Sequence, residues 1–247
     1  MKRPFVLTIA GHDPSGGAGL TADCKVFEQL KTVGLSVCTA TTVQTEDEFI
    51  SVNWLSDDLI LQQIDIILKR YSPAAIKIGL IPSFNLLDKA IALIRNSQPQ
   101  STIIWDPILS SSTGFTFHKN ISIITTVVNR IDLITPNHYE ALQLFGSTNN
   151  EAIQKICKQN ATNMLLKGGH STQNRGNDLL ISPNNISLIK GENQHTISDK
   201  HGTGCILSAA IAAYLAKGQS LQEACITGKR YVERAMFSNP ALLAWHS

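Results

Sequence analysis

The chemistry in this sequence gathers at two glycine-rich turns. His201-Gly202-Thr203-Gly204-Cys205 immediately precedes an apolar helical stretch, Ile206–Leu215. The first amides of a helix have no intrahelical partner and lie at the positive end of its dipole, so Gly202, Thr203, Gly204 and Cys205 form a seat for an anion. A cysteine there has its thiolate favoured, and the expectation is a lowered pKa for Cys205. The plain alternative is a structural turn with a small buried thiol. The other turn, Gly11-His12-Asp13-Pro14-Ser15-Gly16-Gly17-Ala18-Gly19, follows an apolar run and opens another helical segment. Its four glycines in nine residues let backbone approach a ligand closely. Gly17, Gly19 and Ala22 also fit the dinucleotide pattern G-x-G-x-x-A, with Glu46 and Asp47 roughly where its ribose-binding carboxylate would stand. No Lys-Ser/Thr follows the last glycine, so this is not a Walker-type phosphate loop.

Three further motifs carry polar chemistry. In Lys167-Gly168-Gly169-His170 the lysine ends a strand-like run, where it can reach a phosphate or simply be solvated. Thr135-Pro136-Asn137-His138-Tyr139-Glu140 has the spacing of a capping box, Asn137 as N-cap and Glu140 three residues later. Trp105-Asp106-Pro107 places a carboxylate where another strand should end, although Asp-Pro also starts turns.

The elements that must hold these residues follow from the pattern of apolar runs. Strands are expected at Phe5–Ala10, Leu35–Val43, Ala75–Gly79, Thr102–Trp105, Ile131–Ile134 and Met164–Lys167, with a hairpin of Asp178–Ile181 and Ile186–Ile189 turning at Pro183-Asn184-Asn185. Helices are expected at about 21–33, 59–70, 86–95, 140–145, 151–159, 203–217 and 221–237. Short strands alternating with crossover helices make an α/β fold: a mostly parallel sheet with helices on both faces, three layers in all. In such sheets ligands sit beyond the carboxyl ends of strands. All five polar motifs fall at those ends, and unrelated turns would not collect along one edge. The segments Thr172–Asn177 and Ser110–Phe117, rich in small polar residues or glycine, are expected to be mobile loops.

Composition narrows the classes. The chain has 247 residues, 43% of them apolar and 16% charged, with 21 Lys and Arg against 19 Asp and Glu. We expect one domain over 1–247. The net charge of +2 is no electrostatic footprint for nucleic acid or an anionic membrane. No stretch approaches the ~20 apolar residues of a membrane span, and Phe5–Ala10 is too short for a signal-peptide core. The five cysteines at 24, 38, 157, 205 and 225 include no CxxC. A disulfide framework and a thiolate zinc site are therefore not expected, and the expected compartment is the reducing cytoplasm.

The motifs AGHDPSGGAGLTADCK (10–25), TVQT (42–45), KIGL (77–80), DPIL (106–109), ITPNHYEA (134–141), KGGH (167–170) and HGTGC (201–205) run in order along nearly the whole chain. The sequence resembles the hydroxymethylpyrimidine/phosphomethylpyrimidine kinases of the ribokinase-like superfamily. The resemblance implies a ribokinase-like fold, a homodimer, and ATP- and Mg²⁺-dependent phosphorylation of the hydroxymethyl group of 4-amino-5-hydroxymethyl-2-methylpyrimidine. The monophosphate then takes a second phosphate, in thiamine biosynthesis. It implies Gly11, Asp23, Gln44 and Leu80 at the pyrimidine, the Gln44 amide matching a ring nitrogen and its neighbouring amino group. It implies Lys167, Asn137, Glu140 and Thr203 at the nucleotide, and Asp106 and Glu140 at Mg²⁺. Cys205, where the superfamily usually has aspartate, would act as base or shape the anion hole formed with Gly202, Thr203 and Gly204.

Some family positions differ. Ser-Asp-Ser-Ser is His12-Asp13-Pro14-Ser15, Gln-Asn-Thr is Gln44-Thr45-Glu46, Lys-Ile-Gly-Met is Lys77-Ile78-Gly79-Leu80, and a lysine after Asp-Pro is lost in Ile108-Leu109-Ser110-Ser111-Ser112. Other readings make distinct predictions. A pyridoxal kinase of the same branch would prefer pyridoxal in competition. A non-catalytic pyrimidine sensor would bind without releasing ADP. A nicotinamide-dependent oxidoreductase built on Gly17, Gly19 and Ala22 would bind NADH, but it leaves Lys167 and the 201–205 turn unexplained.

Overall fold

The computed structural model describes residues 2–111, 114–118, 127–168, 176–192 and 200–246. The elements are β1 (Phe5–His12), α1 (Gly19–Gln29), β2 (Val33–Gln44), β3 (Phe49–Trp54), α2 (Asp57–Arg70), β4 (Ala75–Ile78), α3 (Phe84–Ser97), β5 (Thr102–Trp105), β6 (Leu133–Ile134), α4 (His138–Phe145), α5 (Asn150–Asn160), β7 (Asn163–Leu166), β8 (Asp178–Ser182), β9 (Asn185–Ile189), α6 (Thr203–Ala216) and α7 (Leu221–Met236). The strands form one sheet in the order β3-β2-β1-β4-β5-β6-β7-β8-β9. From β2 through β7 neighbouring strands run parallel, and β3, β8 and β9 add antiparallel edges.

The strand residues sort to the two faces with period two. Leu7, Ile9, Ile76, Ile78, Ile103 and Trp105 pack on one side with α2 and α3. Val6, Ala75, Ile104, Leu133 and Leu165 face α1, α6 and α7 on the other. Met164, Leu166 and Ile181 continue the first side against α4 and α5. The sheet is thus covered on both faces, as its near-continuous apolar strands require. Helix α6 has no polar face: Ile206, Ala209, Ala210, Ile211, Ala212 and Ala213 are all buried. Small side chains let it lie flat on the sheet with its N-terminus at the strand ends.

Two features place the site. The first crossover runs from β1 to β2, and the next lands on the opposite side of β1, at β4. That reversal opens a crevice outside the carboxyl ends of β1 and β4. The second feature is β3, which the apolar pattern alone did not reveal. Thr45-Glu46-Asp47-Glu48 is its hairpin turn, closed by Thr45 N–H donating to the Glu48 carbonyl at 2.8 Å. Glu46 and Asp47 therefore belong to a hairpin turn, where Thr45 Oγ donates to Asp47 at 2.7 Å. The 178–189 hairpin forms as expected. Most of Thr172–Asn177, and Gly169 and His170, lie outside the described residues.

Candidate active site

The two glycine-rich turns meet backbone against backbone. Gly202 adopts φ +76°, and a Cβ there would lie 2.0 Å from the Gly17 carbonyl oxygen. Gly19, the first residue of α1, has φ +59°, and a Cβ there would lie 2.2 Å from the Gly11 oxygen. Only glycine fits either place. The Gly17 carbonyl is thus packed against the 201–205 turn. The N-termini of α1 and α6 converge, and the backbone of Gly19 favours the Cys205 thiolate.

Lys167 follows β7 and sits beside Asn137 through an isolated bridge. Its Nζ donates to Asp106 Oδ1 at 2.9 Å and stands 3.8 Å from Glu140 Oε2. Burial works against the ammonium, but Asp106 and Glu140 outweigh it and raise its pKa. A Cβ on Gly204 would stand 3.3 Å from Lys167 Nζ and 3.9 Å from Asp106 Oδ2. The lysine and the α6 amides therefore face one space. Asn137 and Glu140 form the expected capping box, Glu140 N–H on Asn137 Oδ1 at 2.8 Å and Asn137 N–H on Glu140 Oε2 at 2.7 Å. Burial pushes the Glu140 carboxyl up to about 7.

Asp106, expected at Mg²⁺, is paired with Lys167 in this structure. It is 2% exposed. Oδ1 accepts from Lys167 and from Thr135 Oγ at 3.1 Å, and Oδ2 accepts from Ser208 Oγ at 3.0 Å. It is the counter-ion of Lys167. Burial opposes its ionisation, but Lys167 and Lys77 prevail and hold its pKa low. Among the described residues no group of three His, Cys, Asp or Glu side chains is placed to hold a metal ion.

The other half of the crevice is apolar and close-fitting. A Cβ on Gly11 would touch Leu80 Cδ2 at 3.0 Å and Ala40 Cβ at 3.8 Å, so Gly11 packs directly against Leu80. Gln44 ends β2 beside the register shift opposite Phe49, half-buried. Asp23, expected at the pyrimidine, is fully buried, with Lys77 Nζ 2.7 Å from both its oxygens and Thr8 Oγ donating at 2.5 Å. Its carboxylate is already shared between those donors.

Cys205 is brought to the centre, but its expected acidity is overturned. Burial pushes the thiol up to about 11; Lys77 pulls it down, while Asp23 and Asp106 push it further up. Lost solvation is the largest of these influences. All five cysteines are free thiols.

Three contributors were absent from the expected set: Lys77, Ser208 and the pair His201–Asp13, 2.9 Å apart. A lysine inside the otherwise apolar strand Ala75-Ile76-Lys77-Ile78 was a legible signal, because a buried charge requires a partner. Ser208 and the His201–Asp13 pair carry no comparable sequence signature.

The mostly parallel sheet covered by helices on both faces, with the α6 N-terminus and the paired Lys167 at its strand ends, is a ribokinase-like fold. The family model described as phosphomethylpyrimidine kinase matches residues 13–247. A hydroxymethylpyrimidine/phosphomethylpyrimidine kinase of Bacillus subtilis (strain 168) is 32% identical over 240 residues, covering 93% of this chain and 88% of the relative. A phosphomethylpyrimidine kinase structure from Clostridium difficile 630 superimposes with a TM-score of 0.79 at 30% identity, covering 94% of this chain and 99% of that one. A pyridoxal kinase from Staphylococcus aureus, in complex with AMP-PCP and pyridoxal, gives a TM-score of 0.83 at 28% identity, covering 96% and 89%. The chain belongs to the phosphomethylpyrimidine kinase family and is a kinase. Among the described residues no helix is long and apolar enough to cross a membrane.

Proposed function

We propose that this enzyme transfers the γ-phosphoryl group of ATP to the hydroxymethyl group of 4-amino-5-hydroxymethyl-2-methylpyrimidine, and then phosphorylates the monophosphate, in thiamine biosynthesis. The observation that carries the reading is the convergence of Lys167, the α6 N-terminus and Cys205 on one space beside the Gly11–Leu80 contact. Phosphoryl transfer has a loose transition state, so catalysis is mostly positioning and charge stabilisation. Asp106 and the approach of Glu140 hold Lys167 charged and leave it N–H groups for a phosphate oxygen. The amides of Thr203, Gly204 and Cys205 lack intrahelical partners and receive charge developing on the transferred group. Gln44, at the crevice margin, presents donor and acceptor to the aminopyrimidine edge.

Glu140 Oε2 is committed to the cap, leaving Oε1 for a hydrated cation. A Mg²⁺ ion that keeps several waters and takes one carboxylate with phosphate oxygens fits this arrangement. When bound it neutralises phosphate charge. Cys205 is a thiol in the substrate-free protein. It accepts the hydroxyl proton only after losing its own, so proton removal is late and pH-dependent.

Steady-state competition tests the substrate. With Mg·ATP, hydroxymethylpyrimidine should drive ADP release and pyridoxal should compete weakly. Preferential turnover of pyridoxal would transfer the assignment to the related kinases. Pyrimidine binding without ADP release would support the sensor reading.

A further inference from the structure

One side-chain pair joins the two glycine-rich turns, and none of the steps above uses it. His201 Nε2 lies 2.9 Å from Asp13 Oδ2, with side chains 8% and 1% exposed. Asp13 organises its own turn as well: Oδ1 accepts from Ser15 N–H and Ser15 Oγ, each at 2.8 Å, and Oδ2 accepts from Ala18 N–H at 2.9 Å. The His201 side is anchored from behind. Its N–H donates to the Leu242 carbonyl at 3.0 Å, and Lys200 Nζ donates to the Asn239 carbonyl at 2.6 Å. A Cβ on Gly17 would meet His201 Cδ2 at 2.7 Å, so ring and turn are already in van der Waals contact.

An ionised carboxylate only accepts hydrogen bonds, so Nε2 must carry a proton toward Asp13. The other ring nitrogen, Nδ1, is buried and has no partner. The pair spans the two segments that bear the reacting groups. Gly19 and Gly11 lie on one turn, and the amides before Cys205 lie on the other.

We propose that Asp13 and His201 are a positioning pair for phosphoryl transfer. They set the separation between the acceptor-side turn and the anion-binding turn, so that Gly19, Cys205 and the first α6 amides meet the reacting hydroxyl and phosphoryl together. Neither side chain touches substrate. The inference rests on the phosphoryl-transfer reading. A displacement of about an ångström between two such turns is enough to lower turnover on the order of a hundredfold.

The test is steady-state kinetics with ATP and hydroxymethylpyrimidine, the fold of each variant checked by circular dichroism. Asp13→Ala and His201→Ala should each lower kcat by roughly thirtyfold or more, with both KM values within about threefold. The double variant should lose no more than either single one, because the pair acts as a unit. His201→Gln, whose amide can donate to Asp13, should recover most of kcat. His201→Asn, one methylene shorter, should not, and this comparison decides the matter if the alanine variants fail to fold. Folded variants with kcat within twofold of wild type, losses carried by KM, additive losses, or no difference between Gln and Asn would each overturn the proposal. An inactive wild type would overturn both the phosphoryl-transfer reading and this pair's role. An active wild type with indifferent variants would overturn the pair alone.

Discussion

Replacing Lys77 by Met should remove one partner of an ion pair that is fully buried on both sides. Lys77 Nζ lies 2.7 Å from each Asp23 oxygen, both side chains are 0% exposed, and Thr8 Oγ donates its hydrogen to the same carboxylate. Without the ammonium, Asp23 must either stay charged in an apolar surround or take up a proton. Burial already raises its pKa against the pull of Lys77. Breaking such a pair costs about 3–5 kcal/mol. At roughly 2–4 °C per kcal/mol for a chain of this length, the midpoint should fall by about 6–20 °C. Removing the whole group (Lys77→Met with Asp23→Leu and Thr8→Val) leaves no orphaned charge or hydroxyl. That variant should recover most of the loss, within about 1.5 kcal/mol of wild type. Urea unfolding of the variants measures both quantities. A loss below about 1 kcal/mol in Lys77→Met, or a triple variant less stable than the single one, would refute the reasoning. Lys77 is also the leading positive influence on Cys205, so Lys77→Met should raise the thiol pKa further and lower kcat at neutral pH.

Other outcomes follow from the same geometry. Cys205→Ala should lower kcat by more than about tenfold with little change in ATP affinity, and should flatten a pH–rate profile that rises in wild type as the thiol ionises toward about 11; a pH-independent wild-type rate with unchanged Cys205→Ala turnover would remove the base. Gln44→Ala should raise the pyrimidine KM by about tenfold or more while leaving the ATP KM in place, and equal KM values would detach Gln44 from the substrate. Glu140 keeps its proton to about 7 in the fold against 4.5 in the unfolded chain, so its stabilising contribution is complete below pH 4.5 and lost as pH rises through 7. Glu140→Gln should therefore gain stability relative to wild type across that window, by up to about 3 kcal/mol; parallel stability curves in urea at pH 5 and pH 8 would contradict the shift.

Much of the frame was legible because period and punctuation agree. Apolar runs such as Phe5–Ala10 and Ile103–Trp105 mark strands buried on both faces, and Asn137 and Glu140 announce their capping box by spacing alone. Strand β3 was passed over although Phe49-Ile50-Ser51-Val52-Asn53-Trp54 is rich in β-forming residues: it carries none of the polar motifs, and it lies at the sheet edge, where Ile50 is 62% exposed. The site was legible as a set of strand ends, but the assignment of partners was not. Whether Asp106 meets a cation or a lysine depends on Lys167, 61 positions away in the chain, and whether Asp23 faces substrate depends on Lys77, 54 positions away. The acidity of Cys205 failed for a related reason. A helix N-terminus is visible in sequence, but the depth at which Cys205 is buried is a property of three layers closing around it.

The measurement that tests the central claim most directly is product identity by mass. The purified enzyme is incubated with Mg·ATP and hydroxymethylpyrimidine, and ADP is quantified alongside. The monophosphate should appear first and then the diphosphate, with one ADP released for each phosphate transferred. ATP left intact, or ADP formed without a phosphorylated pyrimidine, would contradict it.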